Sequence, residues 1–112
     1  MSHLANEEKI LDALAIRDTS DHNSSVSENR GFVPKTIVIH NSLDEQVSVQ
    51  LQGDIVEGFS NPMDVGSPFN VATTTNDYAT LTDYLPFFRV VCSCGSAPTT
   101  GSVTIYLAKV EG

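Results

Sequence analysis

The chain has no tryptophan, only two cysteines, and six lysines and arginines against fourteen aspartates and glutamates, for a formal charge of −8 over 112 residues. Each shortage excludes something. The few cations are spread singly from Lys9 to Lys109, so no basic patch exists to hold a phosphate backbone, and nucleic acid is repelled. The same acidic surface opposes docking on anionic membranes. Long hydrophobic runs are missing too: none approaches the ~20 residues that cross a bilayer. The nearest candidate, Ile10 to Ile16, is broken by Asp12 and preceded by Glu7 and Glu8, so it makes no signal-peptide core. The reading is of a chain made in a cytoplasm, with neither nucleic acid nor membrane as partner.

Two cysteines cannot build a framework of staples. Cys92 and Cys94 share one face of a strand at a separation of roughly 6–7 Å, and joining them would distort the backbone sharply. Free buried thiols are expected.

What is present points to one β domain, since a chain of this length supports a single core. Phe87 to Cys94 and Ser102 to Val110 both alternate, with Val103, Ile105 and Leu107 on one face and Thr104, Tyr106 and Ala108 on the other. That is the pattern of half-buried antiparallel strands, and the Gly95–Gly101 connection between them reads as the turn of a closing hairpin. Upstream, Lys35 to Asn41 is a β-branched strand, and Gln46 to Gln52 alternates Val47, Val49 and Leu51 against Ser48, Gln50 and Gln52. Ile55 to Phe59, Phe69 to Thr73 and Tyr78 to Thr82 read as further short strands. Ser60 to Pro68, with Pro62, Gly66 and Pro68, reads as mostly loop. About seven short strands at this spacing predict an all-β antiparallel sandwich over residues 32–112.

Two segments precede that domain. In residues 1–17, Leu4, Leu11 and Leu14 form a stripe beside Ile10 and Ala13, opposite Glu7, Glu8, Asp12 and Arg17. This is helical spacing, and it predicts an amphipathic arm, helical or extended, whose Leu4, Ile10, Leu11 and Leu14 bind a partner. Residues 18–31 hold one aliphatic residue, Val26, too little burial to offset ordering, and they read as a flexible polar linker.

Chemistry is scarce. His3 and His22 lie in the arm and linker, and only His40 belongs to the domain. Neither cysteine has a histidine or lysine beside it to lower its pKa. Zinc held by Cys92, Cys94 and a distant His40 lacks the usual ligand spacing. Asp54, Glu57, Asp64, Asp77 and Asp83 are either a solvated acidic surface or, if their loops converge, a calcium cluster. No catalytic residue, cofactor or metal is expected, and the chain is read as non-enzymatic. Tyr78, Tyr84 and Tyr106 remain as an interface or ligand face, with neighbouring strands covering Tyr106 as the alternative. Arg89 is either a ligand contact or the partner of Asp83, in a surface pair worth about 0–1 kcal/mol.

From Lys35 onward the chain resembles the small β-sandwich accessory proteins of tailed phages and prophages. The residues that carry the resemblance are Ile37-Val38-Ile39-His40-Asn41-Ser42, Val47 to Gly53, Tyr84 to Val91, and Ala97 to Ile105. The resemblance lies in strands and turns and includes no catalytic signature. This chain departs from the pattern in having no tryptophan near Phe59. The resemblance implies a virion protein assembled in the host cytoplasm, decorating the outside of a head. Its partners would be the major capsid protein lattice and its own copies, with a trimer expected. The alternative is a carbohydrate- or surface-binding module of a head fibre or adsorption apparatus.

Overall fold

The computed structural model describes residues 5–29, 32–82 and 85–111. Among them nine strands follow one another: β1 (Ala5–Leu14), β2 (His22–Asn23), β3 (Ser27–Glu28), β4 (Phe32–Asn41), β5 (Val47–Asp54), β6 (Met63–Val71), β7 (Thr75–Thr80), β8 (Phe87–Ser93) and β9 (Val103–Glu111). They form two antiparallel sheets, one ordered β1-β9-β4-β7 and the other β2-β8-β5-β6, with β3 also pairing β8. The protein is an all-β sandwich.

The core follows from the period-two pattern of the central strands. β5 buries Val47, Val49 and Leu51, β8 buries Phe88, Val90 and Cys92, and β9 buries Val103, Ile105 and Leu107. Ile37 and Ile39 of β4 meet them from the facing sheet. Where two connections meet the chain needs glycine: Gly101 has φ +87°, and a Cβ there would strike the backbone carbonyl of Ser42.

Several expectations change. β8 and β9 are consecutive but do not form a hairpin: β8 pairs β5 in one sheet, and β9 pairs β4 and β1 in the other. The 94–102 connection instead spans the ~10 Å between the layers. Ile55 to Phe59 is a loop, and β6 spans Gly66 and Pro68, with a bulge there against Val49 and Leu51. Proline and glycine are tolerated there because β6 is an edge strand.

Of the two forms expected for the arm, residues 5–14 take the extended one, as a strand of this sandwich. Its i, i+3 spacing arises from bulges: Lys9 and Leu11 face Tyr106 and Ile105, while Leu11 and Leu14 face Ile105 and Val103. The extra residues turn both Ile10 and Leu11 into the core, which imitates a helical stripe. Ala13 takes a positive φ of 47° in the second bulge, and its N–H donates to Thr104 Oγ1 at 3.0 Å.

The polar stretch expected as a linker lies against β8. Ser24, Ser27 and Asn29 are buried. The N–H groups of Ser24, Ser25 and Asn29 donate to the carbonyls of Val90, Ile10 and Pro86, at 2.9, 2.9 and 2.7 Å. Hydrogen bonds place this stretch where apolar burial does not.

Candidate functional site

The polar side chains that the fold brings together mostly hold it in place. Lys109, 4% exposed, donates from Nζ to Glu8 Oε1 at 3.0 Å, Ser27 Oγ at 3.1 Å and the Glu28 carbonyl at 2.8 Å. Ser27 Oγ in turn donates to Glu8 Oε1 at 2.6 Å. One buried cation thus ties β1, β3 and β9 together, and each neighbour offers it an acceptor. At the other end of the sandwich, Asn41 Nδ2 donates to the carbonyls of Glu45, Val71 and Ala72. Asp44 accepts from the Thr99 hydroxyl and from the Thr99 and Thr100 N–H groups. Those Thr99 bonds, the hydroxyl first, hold the Asp44 carboxyl below its ordinary value. No buried polar side-chain atom among the described residues lacks a partner.

The cysteine thiols are free and buried. Burial, with a smaller contribution from Cys94, pushes Cys92 up to about 12. Burial raises Cys94 as well, with Glu45 and Asp18 adding to it. These thiols point into the core, while His40 is exposed on the outer face of β4, so the three do not converge. Among the described residues no group of three or more His, Cys, Asp or Glu is placed to hold a metal ion.

The residues singled out in the sequence scatter. Ile10 and Leu11 are buried in the chain's own core and Leu14 packs against it, so these three are engaged within the sandwich; Leu4 lies outside the described residues. Tyr78 and Tyr106 do come together, since both stand opposite Val38, one from β7 and the other from β9. Lys9 extends the row on the far side of Tyr106, 5.7 Å from its ring centroid. Tyr106 is half-buried and its ring lies 5.5 Å from that of His40, whereas Tyr78 is 67% exposed. Tyr84 and Asp83 lie outside the described residues. Arg89 belongs to the other sheet, with its guanidinium carbon 4.5 Å from the Phe59 ring centroid and Nε donating to Gln52 Oε1 at 3.0 Å. Gln52 passes the contact on to Asp64 at 3.1 Å.

A different surface emerges at the β5–β6 end. Of the four large apolar residues exposed among the described residues, three cluster there: Ile55 at 69%, Val56 at 44% and Met63 at 48%. Asp54 organises this tip. It is 3% exposed and accepts from the N–H groups of Ile55, Val56 and Asn61 at 2.6, 3.3 and 3.1 Å. Burial alone would raise its carboxyl, but those three donors outweigh it and hold the group below its ordinary value. Phe59, at a positive φ of 51°, turns inward beneath Arg89 and anchors the far side of the loop. The result is a tip held by Asp54 that carries two adjacent aliphatic side chains into solvent. The signal for it in the sequence was an aspartate opening a short segment with Gly58, a turn signature that the β-branched Ile55-Val56 pair masks as a strand.

Beside the tip the sandwich gapes. β6 and β7 are the last strands of their sheets on the same flank, and a groove of about 240 Å³ opens between them, lined by Leu51, Val65, Phe69, Ala79 and Leu81 over Ile37.

The chain matches no protein-family model and no curated protein. Among solved structures it is similar to the crystal structure of PirA, with a TM-score of 0.59 and 12% identity over 92% of each chain. It also aligns with the Anabaena sensory rhodopsin transducer, at a TM-score of 0.40 and 17% identity over 80% of this chain and 100% of the other. The likeness to PirA is one of fold: an arrangement of this kind spans nearly the whole chain.

Proposed function

We propose that this protein is a non-enzymatic docking module of a virion, binding the outside of a phage head in many copies and stabilising it. The observation that carries the reading is the β5–β6 tip. Exposed aliphatic side chains cost solubility and are retained where a partner covers them. A loop already held in place in the free protein loses less entropy when it docks. Asp54 holds this one and leaves Ile55, Val56 and Met63 outermost. The resemblance of the strand-and-turn pattern to phage accessory proteins supplies the setting, and repetition over a lattice turns a small contact into firm attachment.

The test is to grow particles from the genome that encodes the chain, replacing Ile55 and Val56 by serine, and to measure the protein on purified heads. Both side chains are already exposed, so the variant should keep its melting temperature and its sandwich. The expected result is loss of most of the head-bound protein at unchanged expression. Undiminished incorporation of the variant, or absence of the native chain from particles, contradicts the proposal.

A second reading, a glycan- or surface-binding module, has one observation in its favour: the Tyr106–Val38–Tyr78 row on an outer sheet face. A glycan-array signal abolished by Tyr78→Ala, with head binding intact, would select it.

A further inference from the structure

The open flank is a second surface, independent of the β5–β6 tip, and its features point to a particular kind of occupant. Four strand positions end the two sheets, and three of them are closed. Along β1, the Ile10 carbonyl is taken by the N–H of Ser25 at 2.9 Å, and Lys109 ties Glu8 down. β2 and β3 are two residues each. β6 is interrupted by Gly66 at φ +71°, by Pro68, and by a register shift opposite Val49 and Leu51, the devices that keep an edge from pairing. β7 has neither the bulge nor the breaks of β6, and its one covering contact of this kind is light: the Asp77 carboxylate takes the Tyr78 N–H at 2.8 Å. Among the described residues its six, Thr75 to Thr80, pair only with β4 and include no proline, glycine or lysine. A strand of this kind is a template for another.

Beneath that edge lies the apolar groove. A strand added alongside β7 would lay alternate side chains between Ala79 and Leu81 on one wall and Val65 and Phe69 on the other, closing the gap in the sandwich. The chain is acidic, with a net charge of −8, and apart from His40 every ionisable side chain between Lys35 and Arg89 in the sequence is an acid or a tyrosine. Asp77 stands on β7 opposite Ile39, exposed and two residues from the groove-lining Ala79. A second copy of this chain would bring another net −8 and a second Asp77 to the same edge, and like charges across strands destabilise pairing.

We propose that β7 and the groove beside it bind an extended, basic segment of another protein by strand addition. Apolar side chains at alternate positions enter the groove, and a lysine or arginine beside them meets Asp77. Main-chain bonds to β7 supply the generic affinity, and the groove with Asp77 beside it selects the sequence.

The probe is a fluorescein-labelled peptide, Lys-Thr-Val-Thr-Val-Thr-Lys, which places Lys, Val, Val and Lys on one face of a strand. Its control is the same composition reordered as Lys-Lys-Val-Val-Thr-Thr-Thr. Fluorescence anisotropy with the full chain at low ionic strength should show saturable binding of the first, with the second weaker by about ten-fold or more. Asp77→Lys should cost a similar factor. Tyr78→Pro should abolish the preference between peptides, because its N–H is bonded to the Asp77 carboxylate at 2.8 Å and proline removes it from the edge. Melting curves confirm that each variant is folded. Equal binding of the two peptides would reduce the effect to net charge and overturn the proposal, as would binding of neither. A doubled mass in light scattering that Tyr78→Pro halves would assign the edge to a second copy and overturn it too.

Discussion

Asp54 shows how much one side chain can decide. In the sequence it is one of fourteen acids and marks the end of a strand. In the fold it is buried, and its two oxygens collect three N–H groups of the loop that follows. Those donors stabilise the carboxylate, so its pKa lies below the ordinary 3.8. For a depressed carboxyl the added stability is present above the unfolded value and is lost as pH falls through the folded one. The urea midpoints of the native chain and of Asp54→Asn should therefore differ at neutral pH and converge in acid, below pH 3.8. A gap that stays constant with pH, or widens in acid, would show that the carboxylate charge does not hold the tip. Lys109 tells a related story. It is one of a few cations in the sequence, on a strand whose pattern marks its face as inward. Nothing local reveals that Glu8, Ser27 and Asn29 converge on it, since these lie 80 or more positions away.

At the scale of elements, the legible strands were those with clean alternation. β4, β5, β8 and β9 stood out because both sheets bury one face of each and leave the other wet, and that alternation is written residue by residue. β1 was illegible because two bulges reset its register and give it helical spacing. β6 was hidden by Gly66 and Pro68, which an edge strand tolerates. The β8–β9 crossing could not be told from a hairpin, because a turn of glycine, proline and threonine suits either. The stretch 18–29 was misread for a different reason: its place comes from long-range hydrogen bonds, and composition reports only apolar burial. Placing β1 inside the sandwich has a direct consequence. A form beginning at Gly31 loses Ile10, Leu11 and Ile16, which are 2%, 9% and 0% exposed. At about 1.5–3 kcal/mol for each buried side chain, the loss is about 5–9 kcal/mol, comparable with the ~5–15 kcal/mol that stabilises a domain. That form should fail to melt cooperatively in a calorimeter. If it melts like the full chain, β1 is a dispensable arm after all.

Across the whole molecule the two ends and the two flanks differ in kind. The end carrying Asn41, Asp44 and Thr99 is laced by side-chain bonds, and the flank carrying β1 is sealed by Lys109. The opposite end and flank expose aliphatic side chains and an apolar groove, with Arg89 beside the tip over Phe59. This asymmetry was invisible to sequence reasoning, because it depends on which strands finish at the sheet edges. The candidate residues chosen for their type, Tyr78, Tyr106 and Arg89, ended on two different sheets, while the surface most in need of cover is aliphatic. If the molecule works by docking, contact should fall on the uncovered side. Amide hydrogen exchange on the full chain, free and bound to purified heads, tests this most directly. The account predicts that binding slows exchange at residues 55–63, with the Asn41–Asp44 and Thr99–Ser102 loops unchanged. Slowing confined to those laced loops, or to β1, would contradict it.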